Sequence, residues 1–428
     1  GLVRPGISTD DAALIARECY GVEAVASELG SNQDRNFVLV EPDGSRSVLR
    51  VDNPVFGDDA RAAQHAALDA YRSAGVPVPA VLPGRDGELT QRWRGFAVRR
   101  SEFAEGEAMV DAGYLAPVVL AEFGALAAAS VNALAGLTHP GLEREHMWDM
   151  RVAYEQIDAL APAVTEAELR SRVRTAADEA QQALSIVADA LPVQPIHGDL
   201  TDDNVTGTRG DDSRLHPHIV LDLGDLGLGW RVAELAVCVS SMLHREPERP
   251  LRALETVAAF HADAPLTRDE ALAVWPLVVL RAALLVASGW RQLAIDGDND
   301  YARERIAGEQ AIFDAATAVP LAEAAELVLA RLGFEAPTFE APEFEASGTP
   351  SPATVPEPDA PGPEASPIDA SAEAPPELST LLPELDGRVV VVDPGVEAEG
   401  LAAGRWAHPA AASLLVAEAP AKGARAAV

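Results

Sequence analysis

The chain has 428 residues, 48% hydrophobic and 23% charged, which is typical of a globular protein long enough to bury a sizeable core. Its 67 acidic and 33 basic residues give a formal net charge of -34, and a surface of that sign repels nucleic acids and anionic membranes. The two cysteines, Cys19 and Cys238, form no zinc-ligand spacing or disulfide framework, which favours a cytoplasmic location, and no segment reaches the about 18 to 20 uninterrupted apolar residues of a membrane span.

The first hundred residues predict a small mixed unit. Residues 10–20 have helical spacing after an aspartate, and residues 37–51 read as two strands joined by a turn. A helix is predicted over 58–75, and two more strands are predicted over 88–103. We therefore expect a domain over residues 1–103 that combines antiparallel strands with helices.

The chain becomes mostly helical after Gly106. Long helices are predicted over 115–136, about 165–190 and within 231–332, and the segment from 195 to 230 reads as short strands and loops. We therefore expect a helical domain over residues 104–333 with a small strand-and-loop insertion.

The last part of the chain has a different composition. Residues 334–385 are rich in Pro, Glu, Ala and Ser and carry too little apolar surface to offset chain entropy, so we expect a disordered acidic linker. One strand is predicted over 387–396, within a tail, residues 386–428, that is too short for an independent core. We interpret this tail as the start of a further domain or as a segment that docks elsewhere.

The stretch "IHGDLTDDNV", residues 196–205, has a spacing that suits phosphoryl transfer from a nucleotide. That reaction needs a carboxylate to accept the proton of an attacking hydroxyl, and oxygen ligands for Mg²⁺. Asp199 is followed five positions later by Asn204, and Asp222 lies at the end of the apolar run "HIVLDL". A hairpin-like arrangement brings Asn204 and Asp222 to one metal ion. Each piece alone is typical of a solvated turn, whereas the combination indicates a catalytic site.

The segments "HGDLTDDN" and "VLDLGD" resemble the motifs of the aminoglycoside phosphotransferase and choline kinase-like family of small-molecule kinases. The resemblance implies an α+β, two-lobed protein kinase-like fold, with a small antiparallel-sheet N-lobe and a mostly helical C-lobe. It also implies that Asp199 is the catalytic carboxylate and that Asn204 and Asp222 bind Mg²⁺. His197 is then a residue that braces the loop, and Asp225 is a second metal-shell group, a substrate contact or an ordinary turn residue.

The same resemblance assigns nucleotide binding, of ATP or GTP, to the first domain. The segment "LGSNQDRNFVLV" falls where the family covers the phosphates with a strand-turn-strand, and an ordinary hairpin turn is the alternative. The candidate phosphate contacts there are Ser31, Asn32 and Arg35. Ser101 and Phe103 fall where backbone groups contact the base.

Two positions depart from the family pattern. Where the family has a lysine that pairs with the phosphates, this chain has Arg50, and its only lysine is Lys422. Where a helix glutamate normally anchors that cation, this chain has Gln64, which hydrogen bonds to an arginine but does not neutralise it. A pseudokinase-like nucleotide-binding regulatory module of a larger protein is therefore the alternative to an active enzyme.

Longer segments, among them "SNQDRNFVL", "QHAALDAY" and "HPGLEREHMWDMR", resemble the kinase module related to hydroxylysine kinase. In bacteria that module often precedes a peptidase-like region and a class III aminotransferase-like domain, so we expect downstream catalytic domains that this chain does not contain. The implied reaction transfers phosphate from ATP or GTP, with Mg²⁺, to a hydroxyl of a small amine or amino acid such as hydroxylysine. Neither a nucleic acid nor a membrane is expected as a partner.

Overall fold

A computed structural model describes residues 3–31, 34–144, 146–295, 300–335, 389–392 and 415–418. The chain divides into two compact units, Gly1–Ala341 and Pro342–Val428. The first unit contains both predicted lobes. The predicted boundaries between domains stay predictions.

An antiparallel sheet of six strands forms the first lobe. Its strands are β1 (Val25–Leu29), β2 (Arg35–Val40), β3 (Arg46–Val51), β4 (Val81–Leu82), β5 (Gln91–Trp93) and β6 (Phe96–Glu102). The order is β1-β2-β3-β6, and β4 and β5 both pair with the other edge of β6. Alternate residues of β2 and β3, such as Phe37 and Leu49, are buried in a small core that includes Ile15 of helix α1 (Thr9–Ile15).

Helix α2 (Asp58–Ser73) links β3 to β4 and packs against the helical lobe. Its buried residues Ala63, Ala67 and Tyr71 belong to the large core of that lobe. The Tyr71 hydroxyl is hydrogen bonded to Ser130 Oγ at 2.8 Å. The helix therefore joins the two lobes through its apolar face.

Eight further helices build the second lobe. They are α3 (Pro117–Leu134), α4 (Ala153–Leu160), α5 (Ala167–Ser185), α6 (Arg231–Met242), α7 (Leu254–Asp263), α8 (Arg268–Ile295), α9 (Asp300–Thr317) and α10 (Leu321–Arg331). Helix α8 packs against α4, α5, α6, α9 and α10, so it is the centre of the lobe. By length and composition α3 and α8 are apolar enough to span a membrane, but 89% of the most apolar window of α8 is buried inside the protein. A central core helix has the same composition.

The described part of this lobe also contains five short strands, of which the last four fall in or at the edge of the segment 195–230, where the sequence predicts strands and loops. They are β7 (Glu107–Ala108), β8 (Val193–Ile196), β9 (Val205–Arg209), β10 (Leu215–Val220) and β11 (Gly227–Trp230). Strands β10, β9 and β7 form one antiparallel sheet, and β11 pairs with β8. The α+β, two-lobed kinase-like architecture expected from the sequence is confirmed.

In the second unit, β12 (Val389–Val392) pairs antiparallel with β13 (Leu415–Glu418). β12 falls within the strand predicted over 387–396. The linker predicted over 334–385 lies outside the described residues beyond Glu335, as does most of the tail over 386–428.

Candidate active site

A cavity of about 620 Å³ lies between the six-stranded sheet and the helical lobe. The turn between β1 and β2 and Arg50 of β3 line it from the sheet side. The loops 199–204 and 222–225 and residues of α6, α8 and α9 line it from the helical side. Asp199, Asn204, Asp222 and Asp225 all border this one cavity.

The loop after β8 is fixed by buried polar contacts. His197 is fully buried; its Nε2 is 2.8 Å from the carbonyl oxygen of Leu221, and its Nδ1 is 3.2 Å from the backbone nitrogen of Asp199. The backbone N–H of Gly198 donates to Oε2 of the buried Glu234 on α6 at 3.0 Å. These contacts leave the loop little freedom, because each member is a buried polar group with a specific partner.

Gly198 is at a position that excludes any side chain. Its φ is +82°, a left-handed conformation that favours glycine, and a Cβ there would lie 2.7 Å from the carbonyl oxygen of Asp225. The glycine therefore allows the two loops of the site to approach each other.

Asp199 is held from two sides. Asn204 Nδ2 donates to Asp199 Oδ2 at 2.8 Å and to its carbonyl oxygen at 2.9 Å, and Arg281 of α8 donates to Oδ1. Burial raises the pKa of Asp199 above its ordinary value, and the nearby charges of Arg281 and His197 offset this only in part. A carboxylate with a raised pKa and a fixed orientation is suited to accepting a proton.

The hairpin β9–β10 explains why Asn204 and Asp222 meet. Val205 pairs with Val220, and the backbone N–H of Leu221 donates to the Asn204 carbonyl oxygen at 2.8 Å. Asp222 follows at once with a φ of +50°, which is uncommon for a residue other than glycine. Eighteen positions separate the two residues in the sequence, and one antiparallel pairing closes that distance.

Arg50 faces this pair from the sheet. It donates to Asp222 Oδ1 at 2.6 Å and to Asp34 Oδ2 at 2.8 Å, and its Nε is 3.4 Å from Asp52 Oδ1. Burial lowers the pKa of Arg50, but the three carboxylates outweigh it and hold the pKa well above the ordinary value. Burial likewise raises the pKa of Asp222, and Arg50 outweighs it and holds that pKa at about 2. Both groups are therefore charged at neutral pH.

The predicted contact between Gln64 and Arg50 is wrong. Gln64 Oε1 accepts a hydrogen bond from Arg99 Nη1 at 2.6 Å, and Arg99 also pairs with Asp52. Asp34, which the sequence analysis missed, takes the place of the expected helix glutamate; it is 2% exposed, and its Oδ1 accepts from the backbone N–H of Asn53 at 2.7 Å. The carboxylate that anchors Arg50 is therefore Asp34, directly before β2, and helix α2 supplies none.

The other predicted nucleotide contacts divide into two groups. Ser31 lines the cavity, and its Oγ accepts from the backbone N–H of Asp34 at 3.2 Å; Asn32 lies outside the described residues. Arg35 pairs with Glu28 of β1 and donates to the carbonyl oxygen of Pro5, so it is directed away from the cavity. Neither of the predicted base-contacting residues borders the cavity: Ser101 pairs within the sheet with Val48 and Val81, and the Phe103 ring packs under Arg46 at 4.0 Å.

The loop after Asp222 is held by Arg144, which donates to the carbonyl oxygens of Gly224 and Leu226. The same guanidinium lies 4.0 Å from Asp225 Oδ1. Burial raises the pKa of Asp225 to about 7, and the charge of Asp199 adds to this effect. Asp225 therefore shares a buried acidic corner of the site with Asp199, whose charge opposes the ionisation of Asp225.

Two residues of the cavity, both on the helical side, could hardly be predicted from the sequence. Arg281 is 3% exposed, and its guanidinium carbon lies 4.3 Å from the centroid of the Trp148 ring. Its only sequence signal is that it is a lone charge inside the apolar run "VVLRAALLV". Glu309 of α9 also borders the cavity, and its segment has no motif at all.

The donor set at the bottom of the cavity fits Mg²⁺. Asp222 supplies an ionised carboxylate, and the amide carbonyl oxygen of Asn204 has no hydrogen-bond partner among the described residues, since Nδ2 makes the contacts to Asp199. Carboxylate and amide oxygens are the ligands that Mg²⁺ prefers, usually in combination with substrate phosphates and water. No cluster of three or more His, Cys, Asp or Glu side chains that could hold a metal was found in the described part of the chain.

A two-lobed fold with an Asp-x4-Asn loop and an aspartate just beyond strand β10 in the interlobe cavity is the arrangement of a kinase. The chain belongs to the phosphotransferase enzyme family (APH), whose model matches residues 25–274. The resemblance noted from the sequence is thereby confirmed.

Individual relatives are distant. Hydroxylysine kinase of Danio rerio is 22% identical over 298 residues, which are 65% of this chain and 82% of the relative. Among solved structures, a microcompartment-associated aminopropanol kinase has a TM-score of 0.56 at 18% identity, covering 76% of this chain and 99% of that one. An amicoumacin kinase in complex with AMP-PNP, Ca²⁺ and Ami has a TM-score of 0.55 at 12% identity, covering 73% and 94%. The structural likenesses establish the fold.

Proposed function

We propose that this protein transfers the γ-phosphoryl group of ATP to a hydroxyl group of a small amine or amino acid, with a hydroxylysine-like acceptor as the first candidate. The observation that carries the proposal is the convergence of Asp199, Asn204 and Asp222 with Arg50 on one cavity. GTP is the alternative phosphate donor.

In this proposal Asp199 is the catalytic carboxylate. Its two oxygens are fixed by Asn204 and Arg281, and its raised pKa favours acceptance of a proton from the attacking hydroxyl. His197 acts through the backbone by bracing the loop that carries Asp199. Asp225, which borders the cavity next to them, is a candidate contact for the acceptor or for the metal's water shell.

Arg50 is the cation that contacts the phosphates, and Ser31 lies at the turn above them. Asp222 and Asn204 would hold Mg²⁺, which when bound neutralises negative charge on the phosphates. Arg50 is ion paired with Asp222 in the structure, so binding of a nucleotide requires this guanidinium to exchange a carboxylate for phosphate oxygens. A planar guanidinium suits bidentate phosphate contacts, and its anchor Asp34 keeps it over the cavity.

A cationic acceptor fits the charge of the helical side. The carboxylates of Asp203, Asp225 and Glu309 border the cavity, and the chain as a whole has a net charge of -34. The relative from Danio rerio is named hydroxylysine kinase, and this likeness supports an amino acid as the acceptor. The predicted cytoplasmic location belongs to the same proposal, and the buried, unbridged Cys19 and Cys238 are compatible with it.

An acceptor screen tests the proposal. The protein is incubated with ATP and Mg²⁺ and, separately, with hydroxylysine, 1-amino-2-propanol, choline, homoserine and an aminoglycoside, and the products are read by mass. We expect a gain of one phosphate on at least one aminated alcohol. Tight nucleotide binding with no transfer to any member of the panel would instead support the pseudokinase alternative.

A further inference from the structure

Helices α8 and α9 form part of the helical wall of the cavity. Arg281, Leu285 and Gly289 lie four residues apart on α8 and therefore share one face, which borders the cavity. Glu309 and Ile312 of α9 border it as well. The wall therefore combines apolar side chains with one carboxylate beyond the catalytic loop.

The carboxylate of Glu309 lies directly against Gly289. A Cβ at position 289 would be 2.1 Å from Glu309 Oε2 and 3.1 Å from its Cδ, so only glycine leaves room for this carboxylate. The Glu309 side chain is 12% exposed, and Oε2 has no hydrogen-bond partner among the described residues. A buried carboxylate oxygen without a donor is costly, so this carboxylate lacks part of the stabilisation that a charged group needs.

The nearest cation in the described part of the chain does not satisfy Glu309. Arg305 Nε is 3.9 Å from Glu309 Oε1, and the guanidinium of Arg305 pairs more closely, at 3.0 Å, with Asp203. Burial raises the pKa of Glu309 to about 7, and the charges of Arg305 and Arg281 offset this only in part. A cation brought by a ligand would restore the charged form.

We propose that Glu309, in the niche that Gly289 creates, binds the ammonium group of an elongated acceptor whose hydroxyl is at Asp199. This inference rests on the proposed function, because it assumes that the acceptor occupies the helical side of the cavity. The inference adds to the proposed function a residue that binds the amine of the acceptor and a constraint on the length of the acceptor.

The backbone spacing along α8 supports an elongated acceptor. Arg281, which contacts Asp199, and Gly289, which contacts Glu309, are eight residues apart, or about 12 Å along the helix axis. Leu285 lies between them on the same face and suits a chain of methylene groups. A hydroxyl and an ammonium several carbons apart match this arrangement, as in the hydroxyl and α-ammonium of hydroxylysine, whereas the adjacent groups of 1-amino-2-propanol do not.

The first experiment compares the parent with Glu309→Gln. Calorimetric titration with hydroxylysine gives the Kd without any need for turnover, and phosphate transfer gives KM. We expect Glu309→Gln to raise both by roughly ten- to hundred-fold, the range for loss of a charge-assisted hydrogen bond, with kcat changed far less. The matched control is Glu326→Gln on the exposed face of α10, which leaves both unchanged. 1,5-Pentanediol, which lacks nitrogen, should not distinguish the variants.

The second experiment is a double-mutant cycle on the niche. Gly289→Ala should weaken hydroxylysine binding as Glu309→Gln does, because the new methyl group displaces the carboxylate. In a Glu309→Ala background, Gly289→Ala should have little further effect, because the carboxylate that it displaces is gone. Additive losses in the double variant would mean that the two positions act independently, which contradicts the niche.

The outcomes separate this inference from the proposed function. If an acceptor is phosphorylated but Glu309→Gln changes neither Kd nor KM for hydroxylysine, the reaction stands and the ammonium subsite is wrong. If hydroxylysine binds through Glu309 but no acceptor is phosphorylated, the subsite stands and the reaction fails. If the parent binds no hydroxylysine, or prefers 1-amino-2-propanol, the elongated acceptor is wrong.

Discussion

Arg50 shows how a departure from a family pattern can be compensated by neighbouring residues. The guanidinium is held by Asp34 and Asp52, both 2% exposed, and it reaches Asp222 across the cavity. The two buried carboxylates of Asp34 and Asp52 hold the guanidinium against the sheet. Its remaining N–H groups are directed towards the helical lobe, where one of them donates to Asp222. The role that a helix glutamate plays elsewhere in the family is therefore taken by Asp34, in the turn before β2, and Asp52, directly after β3.

We expect Asp34→Asn to raise the Kd for ATP by roughly ten-fold, since an amide does not hold the guanidinium in place and a charge-assisted contact is worth about 1.5–3 kcal/mol. The Kd can be measured by calorimetric titration, with Tm recorded in parallel. Gln64→Ala is the informative control, because Gln64 contacts Arg99 and not Arg50. Equal effects of both variants on the Kd would show that Asp34 has no special role as the anchor.

Gly198 gives a second test at single-residue resolution. Gly198→Ala should cost about 1–3 kcal/mol of stability from its left-handed φ alone. It should also reduce kcat by roughly ten-fold or more, because a Cβ 2.7 Å from the Asp225 carbonyl oxygen moves the loop of Asp199. Steady-state kinetics and thermal unfolding measure the two effects.

Gly44→Ala is the matched control for that variant. Gly44 has a φ of +86° at the tip of the β2–β3 hairpin, and a Cβ there meets nothing within 4 Å. It should lose the part of the stability that comes from the left-handed φ and keep the parental kcat. A Gly198→Ala protein with full kcat would show that the close approach of the two loops is not needed for the reaction.

Among the elements, α3 and β10 are joined by one histidine. His216 Nδ1 is 2.8 Å from Glu122 Oε2 of α3, and its Nε2 is 3.0 Å from Asp212 Oδ1. The hydrogen bond to Asp212 and then that to Glu122 raise the pKa of His216. A raised folded-state pKa means that the contribution to stability is full below the ordinary value of about 6.5 and is lost as pH rises through the folded-state value.

We therefore expect the parent to exceed His216→Gln in Tm by about 1–2 °C at pH 5.5 and to match it at pH 8.5, which is the scale of partly exposed ion pairs. Thermal unfolding at the two pH values measures the difference. His218→Gln, an exposed neighbour with no ion pair among the described residues, should show no such dependence. A difference that grows towards alkaline pH would contradict the assignment.

Helix α8 has two roles, one in the core of the helical lobe and one in the candidate active site. It is the central core helix, so its residues from Ala273 to Ala287 are buried, and the same helix presents Arg281 to Asp199. The apolar pattern of the sequence predicts the role of α8 in the core. It does not predict the role in the site, because a helix that is buried on all sides has no polar face that would indicate one. This is why the sequence identified the catalytic loop but not the wall opposite it.

For the molecule as a whole, local patterns predicted more than long-range contacts. The two lobes, the β9–β10 hairpin and the meeting of Asn204 with Asp222 follow from short motifs with regular strand and helix spacing. The partner of Arg50 did not follow, because Asp34 lies in a turn and reaches Arg50 only after β2 pairs with β3. The orientation of Arg35 was missed for a similar reason, since its contact with Glu28 depends on the β1–β2 pairing.

The division of the chain into two units leads to a prediction about its C-terminal part. Every residue that lines the cavity belongs to the unit Gly1–Ala341. A protein that ends at Ala341 should therefore keep the parental Tm and kcat. A fall in kcat at unchanged Tm would show that residues 342–428 take part in the reaction, and thermal unfolding with steady-state kinetics distinguishes the two results.

In the proposed reaction Asp199 is the carboxylate that accepts the proton of the attacking hydroxyl. The most direct measurement is the rate of phosphate transfer from ATP to the best acceptor in the panel, read by mass, for the parent, Asp199→Asn and the exposed control Asp189→Asn. We expect Asp199→Asn to lower kcat by about 10²–10⁴-fold with the Kd for ATP nearly unchanged, and Asp189→Asn to match the parent. Transfer by Asp199→Asn at the parental rate would contradict the account.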